Sequence, residues 1–188
     1  MAKPLCRCSS DFSRRQATTT LLFAGLAGLA PPMTRAWARV TQTAPRPEDE
    51  RFMRLALAEA SRGDFPFGAV IMKGGRVLSS GHNSGKTMND PTAHGEMMAI
   101  RHFVAERPAG ELHGATLYTT GEPCPMCMGA IIWCGIGRVV FAASIEELAT
   151  RLGQIMVNSR ALADAAPFAN IETTGGVLSK EALALFSQ

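Results

Sequence analysis

The chain has 188 residues and a formal net charge of +3, but that charge is unevenly distributed. Five of its 19 basic residues and only one of its 16 acidic residues lie in residues 1–38, so the remainder has 14 basic and 15 acidic residues. A near-neutral domain lacks the Lys and Arg surface that binds a phosphate backbone, which argues against a large nucleic acid as partner. Three cysteines follow residue 38, and this odd number argues against a full disulfide framework.

Residues 1–38 have the order of an export signal. Ser13-Arg14-Arg15-Gln16 precedes a mildly apolar run from Ala17 to Ala30, and Ala36-Trp37-Ala38 offers a small-residue cleavage site. The paired arginines resemble the twin-arginine type of signal. We therefore expect cleavage after Ala38 and a periplasmic protein without a membrane anchor. The alternative is an N-terminal anchor, although the run is short of the roughly 20 apolar residues that span a bilayer.

The rest of the chain predicts a leader at residues 39–47 and one domain at residues 48–188 with a single core. Its strands and helices alternate, which favours a sheet covered on both faces, and Gly74-Gly75 marks a hairpin that makes this sheet mixed. The first helix is predicted to bury Phe52, Leu55, Ala56 and Ala60. The predicted helices are Glu48 to Arg62, His94 to Glu106, Pro125 to Cys134, Ile145 to Leu152 and Ser179 to Phe186, and the predicted strands are Phe67 to Met72, Arg76 to Ser80, Ala115 to Thr120, Arg138 to Ala142 and, as a strand or turn, Ile171 to Leu178.

One histidine and two cysteines form a candidate metal site. His94 stands 30 positions before Cys124, and Cys127 completes a Cys-x-x-Cys pair. A catalytic zinc site keeps three protein ligands and leaves the fourth position to water, whereas a structural site closes all four. Cys134 lies almost two helical turns beyond Cys127, about 10 Å along the axis, so we expect it in the core. His82, His102 and His113 have no motif around them and are not expected to be ligands.

The predicted positions of these residues suit hydrolytic chemistry. Cys124 and Cys127 come at the start of a helix, where free N–H groups favour the thiolate form. Zinc lowers the pKa of its bound water from about 15.7 to near 7. Glu96 lies two residues after His94 and is placed to move protons. The alternative is a redox pair, since Cys124-Pro125-Met126-Cys127 resembles periplasmic thiol oxidoreductases, although those motifs usually follow the first strand of their fold.

His-x-Glu followed by Pro-Cys-x-x-Cys is the pattern of zinc-dependent nucleobase deaminases. The chain resembles the cytidine deaminase-like superfamily from about Glu48 to Ala142, in the branch of guanine, tRNA adenosine and fungal cytosine deaminases. The resemblance rests on Pro66-Phe67-Gly68-Ala69-Val70, Asn89-Asp90-Pro91-Thr92-Ala93-His94 and Glu122-Pro123-Cys124-Pro125-Met126-Cys127, with Gly129-Ala130-Ile131-Ile132 also similar to the fungal enzyme.

This resemblance implies a three-layer α/β/α sandwich with a central mixed five-stranded sheet, a homodimer, and one Zn²⁺ per chain held by His94, Cys124 and Cys127. It implies that Glu96 transfers a proton from water to the ring and then to departing ammonia. Asn83 matches an asparagine that reads the base, and Phe67 an aromatic that packs on it. From the residues alone, Asn83 could equally shape the turn beside Gly85, Phe67 could be ordinary core, and Trp133 is core or dimer interface.

The substrate is not determined by these motifs. Export and near-neutral charge favour a free base or nucleoside over tRNA, with guanine or a related aminopurine first and cytosine second. Gly95 and Gly121 depart from the family pattern, and Glu146 or Glu147 is a candidate for a base contact, although a solvated helix start is the simpler role. A zinc-stabilised binding protein and a thiol oxidoreductase remain as other functional classes.

Overall fold

The structure, a computed structural model, describes residues 41–187. The predicted export signal of residues 1–38 therefore lies outside the described residues. Within residues 41–187, none of the helices is long and apolar enough to cross a membrane.

A mixed sheet of six strands forms the middle layer. Across the sheet the strands are β1 (Thr41–Gln42), β6 (Glu172–Thr174), β5 (Arg138–Ala143), β4 (Thr116–Gly121), β2 (Gly68–Lys73) and β3 (Arg76–His82). Strand β2 is antiparallel to β3 and β4, whereas β4, β5, β6 and β1 are parallel to one another. The expected mixed sheet and its opening hairpin are thus confirmed, and the two-residue β1 adds a sixth strand at one edge.

Helices cover both faces of this sheet and make the predicted three layers. One face carries α1 (Asp49–Ala60), α4 (Ile145–Ala149) and α6 (Ser179–Ala184), and the other carries α2 (Gly95–Glu106), α3 (Pro125–Trp133) and α5 (Ser159–Asp164). Short 3-10 helices span Ala109–Leu112 and Leu185–Ser187. Alternate residues of each strand supply the two cores, as a pleated sheet requires: Leu117 and Val139 face one core, and Tyr118 and Val140 the other.

Residues 41–47 belong to the domain, which corrects the prediction of a leader at residues 39–47. Strand β1 pairs in parallel with β6, and the Arg46 guanidinium donates to the Glu172 carboxylate at 2.6 Å. A strand of two residues is too short to show an alternating pattern, so its pairing partner 131 positions away had no local signal.

Two helical predictions also need correction. Met53, not Leu55, lies on the buried face of α1, and Leu55 is 40% exposed. Helix α4 ends at Ala149 instead of Leu152, and the unpredicted α5 follows after an irregular stretch at residues 150–158. Helices of five or six residues give too few turns for a periodic pattern to emerge.

A buried ion pair fastens α1 to the sheet. Both carboxylate oxygens of Asp49 accept hydrogen bonds from the Arg138 guanidinium at 2.7 Å, and the Tyr118 hydroxyl donates to Asp49 at 2.9 Å. Burial alone raises the pKa of Asp49, but these bonds and one from the backbone N–H of Arg46 outweigh it, so the pKa lies below its ordinary value. Asp49 therefore holds the start of α1 against β5 as a carboxylate.

The strand directions bring the start of β2 and the carboxyl ends of β3 and β4 to the same edge of the sheet. Because β3 and β4 are both antiparallel to β2, their carboxyl ends lie at the same edge, where β2 begins. Helix α2 follows β3 and helix α3 follows β4, so the first turns of both helices come to that edge. Ligands of open α/β sheets bind outside the carboxyl ends of the strands, which makes this edge the place to look for a site.

Candidate active site

The first turns of α2 and α3 bring the predicted metal ligands together. His94 is the N-cap of α2 and Cys124 the N-cap of α3, while Cys127 lies in the first turn of α3. The Nδ1 atom of His94 is 3.7 Å from the Sγ of Cys124 and 3.6 Å from the Sγ of Cys127. The ligand atoms of all three residues lie within 4.8 Å of one another. The predicted ligand set is confirmed as a cluster.

This cluster fits zinc. Zn–N bonds of about 2.0 Å and Zn–S bonds of about 2.3 Å at a tetrahedral angle separate nitrogen from sulfur by about 3.5 Å. The two nitrogen–sulfur distances, 3.7 and 3.6 Å, lie close to that value. Within residues 41–187 the cluster contains three ligand side chains, the number that leaves a fourth tetrahedral position to water.

The pKa values of the two thiols are shifted in opposite directions. The Cys127 thiol donates to Cys124, and this bond, with help from His94 and the Cys127 backbone N–H, lowers the pKa of Cys124 to about 4. The same bond, with burial, raises the pKa of Cys127. The Cys124 thiolate likewise raises the pKa of His94. A metal binds cysteine as the thiolate and histidine as the neutral imidazole, so affinity for the metal falls in acid.

Glu96 is a buried carboxyl group next to this cluster. It is the second residue of α2, it is 4% exposed, and its Oε1 accepts a hydrogen bond from the Thr119 hydroxyl at 3.2 Å. Burial raises the pKa of Glu96 above its ordinary value. A raised pKa brings a carboxyl group closer to the working pH, which favours both accepting and returning a proton, as a general acid–base catalyst must do.

A cavity of about 620 Å³ opens onto the cluster. Its lining combines the predicted site residues with residues for which the sequence suggested no role. The predicted residues His94, Cys124, Glu96, Asn83 and Phe67 all line it. The other lining residues are Phe65, Gly85, Lys86, Asn89, Pro91, Glu122, Leu152, Gly153, Gln154 and Ile155.

The position of Asn83 is compatible with both of its suggested roles, which are to shape a turn and to contact a base. It follows β3, is 6% exposed, and its Oδ1 accepts a hydrogen bond from the Gly85 backbone N–H at 3.2 Å, so it does shape that turn. This bond uses the carbonyl side of the amide. The amide nitrogen is then the part that can serve a ligand, and it can only donate. Contact with a base stays a prediction.

Phe67 lies half-buried between the cavity and the C-terminal part of the chain. Its ring meets that of Phe186 edge-on, with centroids 5.1 Å apart. A Cβ on Gly121 would lie 2.9 Å from both the Phe67 and Leu148 side chains, and a Cβ on Gly95 would lie 2.9 Å from the Phe67 carbonyl oxygen. Gly121 and Gly95 therefore make room for Phe67.

Glu122 and residues 152–155 of the cavity wall were not predicted. Glu122 is 7% exposed and its carboxylate accepts three hydrogen bonds, yet the sequence shows it only as part of the motif that contains the cysteines, with no role of its own. Residues 152–155 have no regular secondary structure and so no periodic pattern. They also lie beyond Ala142, where the resemblance ends, so no sequence signal identified them.

The remaining polar candidates have other contacts. Glu147 forms a capping box with Ser144 at the start of α4, and neither it nor Glu146 is among the described residues that line the cavity. His82 lies 3.1 Å from the Glu59 carboxylate, and His102 contacts the Ser80 carbonyl oxygen. Cys134 packs against the core beside α3 and stays outside the cluster, as predicted.

Comparison with known proteins agrees with this geometry. The profile described as "Cytidine and deoxycytidylate deaminase zinc-binding region" matches residues 46–143. The chain is 43% identical over 98 residues to a tRNA-specific adenosine deaminase of Aquifex aeolicus, covering 50% of this chain and 65% of the relative. It is 43% identical over 105 residues to a guanine deaminase of Bacillus subtilis, covering 53% and 67%. The chain thus spans about two thirds of the length of these relatives.

A solved structure extends the similarity to most of the chain. It was described in work on the function and mechanism of a guanine deaminase from Nitrosomonas europaea. The two chains are 25% identical with a TM-score of 0.63, and the match covers 87% of this chain and 94% of the other.

Replacing one ligand tests the metal cluster. We expect Cys127→Ser to weaken zinc binding by at least about 100-fold, since even residues that only orient ligands contribute 10- to 100-fold. Cys134→Ser is the matched control and keeps one zinc per chain. Metal analysis and chelator competition on the purified proteins measure both. A zinc-free protein in which Cys124 and Cys127 oxidise to a disulfide would favour the redox alternative.

Proposed function

Because the chain belongs to the cytidine and deoxycytidylate deaminase zinc-binding family, we propose that it is a zinc-dependent hydrolytic deaminase of a small nucleobase or nucleoside. Guanine or a related aminopurine is the favoured substrate. The observation that carries the proposal is the buried Glu96 carboxyl group, which lines the same cavity as the metal ligands His94 and Cys124. The alternatives in the same class are cytosine or cytidine deamination and tRNA adenosine deamination.

The residues of the site have separate roles in the proposed reaction. Zinc, held by His94, Cys124 and Cys127, supplies Lewis-acid activation of water. Glu96 accepts a proton as the water oxygen bonds to the amine-bearing carbon, and it delivers that proton to a ring nitrogen. The carbon–nitrogen bond then breaks, a carbonyl forms, and a proton passing through Glu96 leaves with ammonia. The Asn83 amide nitrogen donates to an acceptor on the base, and the Phe67 ring packs against it.

Size and charge support a small substrate. Sites for small molecules and cofactors have volumes of about 300–1,000 Å³. The cavity volume of about 620 Å³ lies within that range. Among the described residues that line the cavity, Lys86 is the single Lys or Arg, so the lining offers little to a nucleic-acid backbone. The relatives include a guanine deaminase and a tRNA-specific adenosine deaminase. The volume of the cavity and the charge of its lining favour a small base such as guanine over tRNA.

A zinc-stabilised binding protein is the alternative outside enzymes. Binding alone gives no reason to bury a carboxyl group beside the metal, because burial of a charge costs free energy. Glu96 therefore favours turnover over binding.

Ammonia release distinguishes these possibilities. We expect the zinc-loaded protein to release ammonia from guanine or a related aminopurine, in a panel with adenine, cytosine, their nucleosides and a tRNA anticodon stem. Glu96→Gln is expected to keep zinc and lose about 100- to 10,000-fold in kcat, the usual contribution of general acid–base catalysis. Glu146→Gln, at an exposed position of α4, is the control and keeps full activity. Release from cytosine alone would replace the favoured substrate, and zinc binding without any release would favour the binding protein.

We also propose that the protein is a homodimer through the outer face of α3. Trp133 is 79% exposed, which excludes the core position suggested for it, and its ring stacks on the 64% exposed Phe168. Gly129 lies one turn earlier on the helix, and a Cβ placed there would meet no described atom within 4 Å. An uncharged helix face with an exposed tryptophan is typical of the centre of a protein interface.

Substitution of the exposed tryptophan tests this interface. We expect Trp133→Glu to weaken dimerisation by about 30-fold or more, the effect of losing an interface hot spot. Leu55→Glu changes an exposed apolar residue on the opposite layer and leaves the dimer intact. Light scattering coupled to size-exclusion chromatography measures both. A wild-type monomer at every concentration would contradict the proposal.

Export remains a proposal from the N-terminal sequence. The paired arginines, the apolar run and the Ala36-Trp37-Ala38 site support a periplasmic protein that begins at Arg39. N-terminal sequencing of the periplasmic fraction tests this cleavage. The variant Arg14→Lys with Arg15→Lys keeps the charge and is expected to stay uncleaved in the cytoplasm. Uncleaved wild-type protein in the membrane fraction would favour the anchor instead.

A further inference from the structure

One wall of the cavity comes from the irregular segment at residues 150–158, which joins α4 to α5. Residues 152–155 of this segment line the cavity. Among the described residues, its backbone hydrogen bonds run to α4, to the first turn of α5 or within the segment itself. Ile155 and Met156 are 64% and 61% exposed. The segment therefore lies over the cavity with little regular structure of its own to hold it there.

The Glu122 carboxylate binds the starts of the two helices that flank this segment, α4 and α5. Its Oε2 accepts a hydrogen bond from the backbone N–H of Ile145, at the start of α4, at 3.0 Å. Its Oε1 accepts two more from Ser159 at the start of α5, one from the backbone N–H at 2.8 Å and one from the hydroxyl at 2.6 Å. Hydrogen bonds to an ionised carboxylate are about twice as strong as neutral ones. One buried group thus fixes the two helix starts between which the segment runs.

Glu122 is also close in sequence to the metal ligands, but its side chain makes its hydrogen bonds elsewhere. It lies two residues before Cys124, and its backbone N–H donates to the Ala143 carbonyl oxygen at 2.7 Å. The hydrogen bonds described for its carboxylate go to Ile145 and Ser159, not to a metal ligand. Its backbone thus belongs to the turn before α3, while its side chain contacts the starts of α4 and α5.

We propose that Glu122 is a positioning residue that holds segment 150–158 over the cavity and so determines how tightly the substrate binds. It acts through residues 152–155 and does not touch the reacting atoms. The effect on substrate rests on the deaminase function proposed above, whereas the effect on the segment does not.

Glu122→Gln is the direct test. An amide of the same shape presents an NH₂ group to one of the N–H donors, so at least one of the three bonds is lost. In the zinc-loaded full-length protein we expect hydrogen exchange in residues 150–158 to accelerate by about tenfold or more. We expect KM for guanine to rise by a similar factor, with kcat within about twofold and zinc at one per chain. This is the fold-change expected from losing one charge-assisted hydrogen bond.

Two further variants separate this role from general stability. Glu147→Gln removes the charge from the exposed capping box at the start of α4 without touching Glu122, so it leaves KM and the exchange of residues 150–158 unchanged. Ser159→Ala removes the hydroxyl bond and keeps the backbone bond, so it gives a smaller change in the same direction even if Glu122→Gln fails to fold.

The outcomes are distinct. Loss of zinc in Glu122→Gln, a fall in kcat at constant KM, or unchanged exchange in residues 150–158 overturns the proposal. An equal effect of Glu147→Gln overturns it as well. If guanine and the other bases are not deaminated at all, the proposed function fails, and the exchange measurement still decides whether Glu122 holds the segment.

Discussion

The close approach of two helix starts at one edge of the sheet is the constraint on which the site depends. The Nδ1 atom of His94, at the start of α2, lies 3.6 to 3.7 Å from two sulfur atoms at the start of α3. Such a cluster of ionisable groups is costly to bury without a metal, because charges in a low dielectric must be paired. In this cluster the hydrogen bond between the two thiols lowers the pKa of Cys124 and raises the pKa of Cys127.

The position of Glu96 follows from that of His94. Both belong to the first turn of α2, so whatever orients the histidine on the metal also carries the carboxyl group into the cavity. Thr119 of β4 donates to Glu96, which links this carboxyl group to the strand that leads into the cysteine turn. The absence of a side chain at Gly95 lets this turn pack against the backbone of Phe67. The three cluster residues, Glu96 and Phe67 therefore depend on one packing arrangement.

The last third of the chain contributes one wall of the cavity and packs against another. Residues 152–155 form one wall of the cavity, and Phe186 packs against the cavity residue Phe67 from the side of α6. Glu122 connects the cysteine turn to the starts of α4 and α5. The metal motifs are shared across the family match at residues 46–143, but the walls that a substrate would touch come partly from outside it. This division explains why the chemistry can be inferred more firmly than the substrate.

The sequence by itself determined the features that depend on near neighbours. Proline at the first turn of α3, the Cys-x-x-Cys spacing and the His-x-Glu pair are local, so the two helix starts, the three ligands and Glu96 could be predicted from a single chain. The alternating strands and the hairpin followed from the same kind of pattern.

Only the tertiary structure decided the contacts between distant segments. Glu122 meets Ser159 across 37 positions, and β1 pairs with β6 across 131. Phe186 packs on Phe67, and Trp133 is left exposed on α3. No periodic pattern in the sequence predicts such contacts, because they depend on which faces the folded sheet brings together. The contacts of Glu122 with the helices on either side of residues 150–158 depend on the pairing of β4 with β5, which places the ends of these two strands side by side.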